Sequence, residues 1–292
     1  MKHLAHMRTR GDDGWLGLAL TCGKDDVGTL REHAWELVRR YPHYDGHIAS
    51  STTRPAPSTF TAHKELLADF YHHPPAELGK RLRARRHDHG LLECPYCGSP
   101  GKPDTLDHFM PQGTWPEFSI HPNNLVPQCR DCMPVKGQRY YCETGKDALF
   151  LHPVYHDTLA QLAFRIDIAM KRNAPEFTVT FTVLKALDAI GRKRLVKHIG
   201  ALQLRERIVQ FCVREYGDWK DTIAESHFDI EKTLGARLAP YPPFNAGAAP
   251  NWAAAFYKEA VTNRAFLAHL EHFAPKAAHA APPVSAVETL AC

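Results

Sequence analysis

Leu91–Gly137 reads LLECPYCGSPGKPDTLDHFMPQGTWPEFSIHPNNLVPQCRDCMPVKG, and the reading of this stretch places everything around it. Two CxxC pairs, Cys94/Cys97 and Cys129/Cys132, stand at its ends. A CxxC forms a tight knuckle that points two thiolates at one ion, and two knuckles supply the four soft ligands a tetrahedral structural Zn²⁺ prefers. The spacer between them is longer than in a simple zinc ribbon, so it carries something besides the metal. What it carries is an Asp107-His108 dipeptide and an Asn124-Leu125 step. Four cysteines close the coordination sphere, so the ion is expected to be a staple and not a catalyst. A finger with so little core of its own is expected to unfold without it.

The segments TLDHFMP, NNLVPQC and CRDCMPVKG, in this order between and around the cysteines, resemble the HNH endonucleases, the ββα-metal nucleases. The resemblance covers about fifty residues. It implies a zinc-stapled ββα finger and a metal-dependent DNA endonuclease, nicking or cutting double-stranded DNA to leave 5′-phosphate and 3′-hydroxyl ends. Carried over residue by residue, Asp107 binds a catalytic Mg²⁺ or Mn²⁺ and His108 takes a proton from water. Asn124 braces the loop through backbone hydrogen bonds so that His108 is aimed. HNH proteins with large helical extensions occur in bacterial anti-phage and restriction systems, which implies a protein partner such as an ATPase of a defence system. One position departs from the pattern. The residue directly after the second CxxC is usually an Asn or His metal ligand, and here it is Met133.

The chemistry of those residue types is consistent with the assignment. Phosphodiester hydrolysis needs a nucleophile and stabilisation of charge on the phosphoryl oxygens. An imidazole suits the base because its ordinary pKa lies near neutrality. Neighbouring residues on an ideal strand face opposite ways, so Asp107 and His108 reach one site only at an irregular strand end, and Phe109-Met110-Pro111 fits a strand that stops there. A thioether is a poor ligand for Mg²⁺. Asp131, His121 or Gln138 are the candidate substitutes, or water and phosphate complete the shell around Asp107. If Asp107 is the only ligand, Met133→Asn supplies an oxygen; if Met133 packs in the finger's small core, the same change buries an amide. Met133 therefore sustains an alternative reading, a zinc-finger nucleic-acid-binding or adaptor protein without catalysis.

Upstream, AELGKRLRARR carries Lys80, Arg81, Arg83, Arg85 and Arg86 just before the finger. Such a run is either a solvated helix face or a phosphate-contacting surface. Lys136, after the second knuckle, has the same two readings. A second basic cluster, Arg192, Lys193, Arg194 and Lys197, is a weaker DNA-contact candidate. His152, His156 and Asp157 form either a ligand set or ordinary loop hydrogen bonds, with Pro153 interrupting any helix.

Further outward the fold class reads as mainly α, an α+β protein with a small ββα finger and one more β element. Residues 1–75 form an N-terminal helical region, 76–145 the basic helix plus finger, 146–274 a mostly helical C-terminal domain, and 275–292 a Pro/Ala-rich disordered tail. WLGLAL after Gly14 reads as a short strand or buried loop. Thr29-x-x-Glu32 reads as a capping box opening a helix with Leu30, Ala34, Leu37, Val38 and Tyr41 on one stripe. Residues 42–59 read as a loop, and a helix is predicted from about Thr61 to His72. Phe177, Val179, Phe181 and Val183 alternate with threonines, a strand signal. From Lys185 onward the chain reads as helical. Leu202, Val209, Cys212, Val213 and Tyr216 make a buried stripe, and Asn251 caps a last helix.

The 292 residues are 44% hydrophobic with a formal net charge of +4, ordinary for a protein that buries a real core and too modest to imply nucleic acid by itself. Cys22, Cys142, Cys212 and Cys292 are scattered, a usage that suits a reducing cytoplasm better than a disulfide scaffold. No stretch approaches the roughly 20 apolar residues of a membrane span.

Overall fold

The computed structural model describes residues 1–245 and 247–275; the tail expected to be disordered lies, from residue 276 on, outside the described residues. The chain is a mainly α, α+β protein, and its buried apolar side chains form one contiguous cluster from Met1 to Leu270.

The N-terminal part is a series of short helices: α1 (Trp15–Leu20), α2 (Val27–Glu32), α3 (Ala34–Arg40), α4 (His43–Ala49), α5 (Lys64–His72) and α6 (Ala76–His87). Four expectations are corrected here. WLGLAL is helical, entered through Gly11, Asp13 and Gly14 in left-handed conformations, and it buries Trp15, Leu16 and Ala19. Thr29 lies inside α2 and caps nothing; the helix expected to run on from it breaks at His33. The stretch 42–59 is not all loop, because Pro42 opens α4, and prolines are tolerated at a helix start. Val38, expected on the buried stripe, is exposed.

The finger follows as β1 (Thr105–His108), β2 (Leu125–Gln128) and α7 (Cys132–Lys136). The two strands pair antiparallel with Asp107 opposite Val126 and His108 opposite Leu125. A minimal ladder, β3 (Tyr141–Cys142) with β4 (Asp147–Ala148), leads to a long hairpin, β5 (Leu162–Lys171) with β6 (Ala174–Val183). Its two-residue turn, Arg172-Asn173, has positive φ at both positions, the twist that a tight hairpin requires. Phe164, Ile166, Ile168, Phe177 and Val179 point inward. β5 is the partner that the alternation in β6 required and that the sequence reading did not name.

The remaining helices are α8 (Ala189–Ala201), α9 (Leu204–Glu225), α10 (Ile230–Ala236), α11 (Trp252–Thr262) and α12 (Arg264–Glu271). Asp188, Asp229 and Asn251 cap α8, α10 and α11, each accepting from the N–H three residues on. Along α9, Ile208, Phe211, Cys212, Trp219 and Ile223 form the buried stripe, whereas Val213 faces outward.

These helices position the finger. Trp252 donates from its indole nitrogen to the Cys97 carbonyl at 2.7 Å, and His198 Nε2 donates to the Tyr96 carbonyl at 2.7 Å. The β5 side chain Phe164 packs so closely on Gly98 that a Cβ there would meet its ring at 3.1 Å, and Gly98 itself has φ of +76°. The first knuckle therefore needs glycine at this position on both counts.

Candidate metal centre and active site

At the knuckle end, Gly98 N–H donates to the Cys94 carbonyl and Cys94 N–H to the Ser99 carbonyl, at 2.8 and 3.0 Å. This turn brings Cys94 and Cys97 together, and the start of α7 brings Cys129 and Cys132. All four sulfurs lie within 4.8 Å of one another. The Cys97 and Cys129 sulfurs are 3.7 Å apart, close to the separation of about 3.8 Å that a tetrahedron with Zn–S bonds of about 2.3 Å requires. The donor set and spacing are compatible with a zinc site. Backbone N–H groups of Ser99 and Cys129 point at the Cys97 and Cys94 sulfurs at 3.4 and 3.5 Å.

A residue that sequence reading missed completes this corner. Arg207 of α9 directs Nη1 at the Cys132 sulfur (3.4 Å) and Nη2 toward Cys97 and Cys129 (3.9 and 4.0 Å). Burial disfavours its charge, yet the surrounding thiolates outweigh burial and raise its pKa. Four thiolates around a divalent ion leave net negative charge, and a guanidinium beside them offsets part of it. No local motif announces Arg207, which arrives only through the packing of α9.

At the other end of the hairpin, His108 closes β1. Its Nε2 lies 2.9 Å from the Ser119 carbonyl, to which it donates, and Nδ1 has no protein partner among the described residues. The ring is half-buried, with Tyr71 edge-on at 4.4 Å. Burial, opposed by the Ser119 carbonyl and reinforced by the Lys136 ammonium, lowers its pKa to about 4. Asn124 is fully buried and spans the loop: Oδ1 accepts from Met110 N–H (2.7 Å) and Tyr44 hydroxyl (3.1 Å), and Nδ2 donates to the Met110 and Phe118 carbonyls. Ser119, the partner of His108, follows Phe118 directly, so Asn124 and His108 hold neighbouring peptide groups of one loop.

Asp107 is 9% exposed and both its oxygens are engaged. Oδ2 accepts from the Tyr96 hydroxyl at 2.7 Å, and Oδ1 lies 3.0 Å from Lys136 Nζ. Lys136 was expected to be solvated or on a phosphate; its side chain instead has no exposed surface. It falls four residues after the buried Cys132, on the same side of α7, and that spacing was the available signal. Met133 points the other way and is 47% exposed, which removes the reading that it packs in the finger's core. Of the candidate substitute ligands, Asp131 and Gln138 are exposed. His121 is buried with its ring stacked on Tyr44 and edge-on to Tyr41, each at 4.8 Å.

The basic helix divides. Lys80, Arg81 and Arg83 are exposed and Arg86 is half-buried, its charge opposing the burial that raises the pKa of Tyr71, the neighbour of His108. Arg85 does not belong to this face: it is buried, donating to the Leu125 carbonyl of β2 (2.6 Å) and the Met7 carbonyl (2.9 Å). In the second cluster, Lys193 and Lys197 pair with Asp147, and Arg194 contacts His156. His152 and His156 form no ligand set. His152 Nε2 bonds the Asn123 carbonyl and the Tyr44 hydroxyl, and His156 Nδ1 accepts from His152 N–H.

Among the described residues no helix is long and apolar enough to cross a membrane. No family model and no solved structure matches the chain. A 62-residue stretch, 21% of the chain, is 47% identical to protein ea31 of Escherichia phage lambda. The match spans about a fifth of that protein's length, 20%.

Proposed function

We propose that the chain is a DNA phosphodiester hydrolase of the HNH kind, with a structural zinc on Cys94, Cys97, Cys129 and Cys132 and His108 as general base. The observation that carries this reading is the state of His108. With Nε2–H committed to the Ser119 carbonyl, the lone pair of the neutral ring lies on Nδ1, ready to accept a proton. A pKa of about 4 keeps the ring neutral, and an anionic phosphodiester bound beside it would raise that value toward the useful range. Water then adds to phosphorus while its proton passes to Nδ1. The P–O3′ bond breaks, and the 3′-oxygen takes a proton from solvent. Arg81, Arg83 and Arg86 supply phosphate contacts, and Asn124 keeps the loop that orients His108.

The divalent ion that the resemblance implies does not fit the residues as they stand. Asp107 has no free oxygen, and Met133 offers only a thioether. Among the described residues, the four cysteines are the only cluster of three or more metal-ligating side chains. The same features favour a second reading, a zinc-stapled nucleic-acid-binding or adaptor module without turnover. Plasmid incubation with Mg²⁺, Mn²⁺ or EDTA decides between them. The proposal expects cleavage by the wild type and a loss of about 10²–10⁴-fold in His108→Ala, with DNA binding nearly intact. Equal cutting by both proteins removes His108 from the role. A wild type that binds DNA and never cuts it establishes the second reading.

A further inference from the structure

We infer that Lys136 is the resident cation of Asp107, standing where the resemblance puts a divalent ion, and that the pair holds the strand end from which His108 projects. An ammonium has three N–H donors, and Lys136 Nζ has three oxygens around it: Asp107 Oδ1 at 3.0 Å, His108 carbonyl at 3.1 Å and Phe109 carbonyl at 3.2 Å. The rings of Phe109 and Phe150 close over it at 5.7 and 5.6 Å. The second carboxylate oxygen is filled by the Tyr96 hydroxyl. Charge is balanced inside the cluster, and every donor on the ammonium is used.

A divalent ion on Asp107 would have to displace this ammonium, leaving it among two carbonyls and two aromatic rings with no counter-charge, which is costly. Mg²⁺ also keeps several waters of its own, and a carboxylate that is 9% exposed leaves them little room. Two of the three oxygens on Lys136 are the carbonyls of His108 and its neighbour. Asp107, Lys136 and Tyr96 are therefore positioning residues for the end of β1. The charge assignment stands on its own; the positioning of a base rests on the role proposed for His108.

The test uses the full-length, zinc-loaded protein. Mn²⁺ binding followed by electron paramagnetic resonance is expected to differ less than about twofold between wild type and Asp107→Asn. Stoichiometric binding by the wild type that weakens about tenfold or more in the variant overturns the assignment. Should the variant fail to fold, nitrogen-edited NMR of the wild type decides. The Lys136 ammonium, shielded from solvent, is expected to give a persistent signal that excess Mg²⁺ leaves in place, and its loss or shift at stoichiometric Mg²⁺ refutes the inference. Where the wild type cleaves DNA, Asp107→Asn should lower kcat and leave the half-saturating divalent concentration within about twofold; a rise of about tenfold or more counts against it. Absence of cleavage would remove the nuclease reading alone, because the two spectroscopic measurements do not depend on turnover.

Discussion

The two ends of the β1–β2 hairpin carry ligand-type side chains in opposite electrostatic states. At the knuckle end four thiols converge with Arg207 beside them, an arrangement that calls for a cation from outside. At the His108 end the carboxylate of Asp107 already has its cation, Lys136, from the same chain. A CxxC sets the convergence of its own sulfurs locally, through the turn it makes. The role of a carboxylate is set by whatever packs over it, and here that is a helix that begins at the second knuckle.

The largest expected effect tests the knuckle end. Structural zinc sites contribute folding free energy of about 10–16 kcal/mol in isolated fingers. Cys97→Ser is expected to reduce the zinc content from one ion per chain to none and to abolish the cooperative melting transition. The damage should not stay within the finger, since Trp252 and His198 bond the carbonyls of Cys97 and Tyr96. Elemental analysis and circular dichroism read both. A variant with full zinc and wild-type melting would remove the contrast between the two ends.

The next effect tests the other end. Lys136→Met leaves a buried carboxylate with the Tyr96 hydroxyl as its remaining partner, and breaking a buried pair costs about 3–5 kcal/mol. Replacing both partners by apolar residues is often tolerated, so Asp107→Leu/Lys136→Met should recover a large part of that loss. Urea unfolding of the two single variants and the double gives the coupling. If the double loses the sum of the singles, Asp107 and Lys136 do not act as a pair.

Much of this contrast was legible in the residues, and the rest was hidden for identifiable reasons. The four cysteines and the strand end at Phe109-Met110-Pro111 followed from spacing and turn chemistry. Lys136 and Arg85 were misplaced because charged side chains are usually solvated. Both nevertheless carried a positional signal: Arg85 follows Leu78 and Leu82 on one stripe of α6, and Lys136 follows Cys132 by one helical turn. Arg207, Trp252 and His198 carried none, since what they bond is fixed only when distant helices dock. WLGLAL went astray for a local reason, a six-residue apolar run being as compatible with a strand as with one buried turn of helix.

Arg85 and Arg83 sharpen the comparison on a single helix. Arg85→Ala leaves the carbonyls of Leu125 and Met7 without their donor and should cost about 1–3 kcal/mol, at no direct expense to DNA binding. Arg83→Ala, on the exposed face, should change stability by less than about 0.5 kcal/mol. If the proposed DNA surface is correct, it weakens binding about uniformly across sequences and reduces the salt slope by about one. Melting curves and salt-dependent binding isotherms separate the two positions. An exchange of their effects would mean that α6 presents its other face.

The smallest expected effect is at Met133, the position where the resemblance breaks. Its side chain is 47% exposed, so Met133→Asn buries no amide and should move stability by no more than about 0.5 kcal/mol, the difference in helix propensity. An asparagine there supplies an oxygen, yet one neutral oxygen does not release Asp107 from an ammonium that is fully bonded. With Lys136 in place, the variant should therefore bind Mn²⁺ no better than the wild type, and any cleavage should keep its divalent dependence. Any gain should come only when the cation is removed as well, in Met133→Asn/Lys136→Met, where the carboxylate is freed. A metal titration of the single and double variants, with melting curves alongside, reads the difference. If Met133→Asn alone lowers the half-saturating Mg²⁺ by about tenfold, Lys136 yields to the ion readily. The two ends of the hairpin would then differ in which cation waits there, and not in whether one can be exchanged.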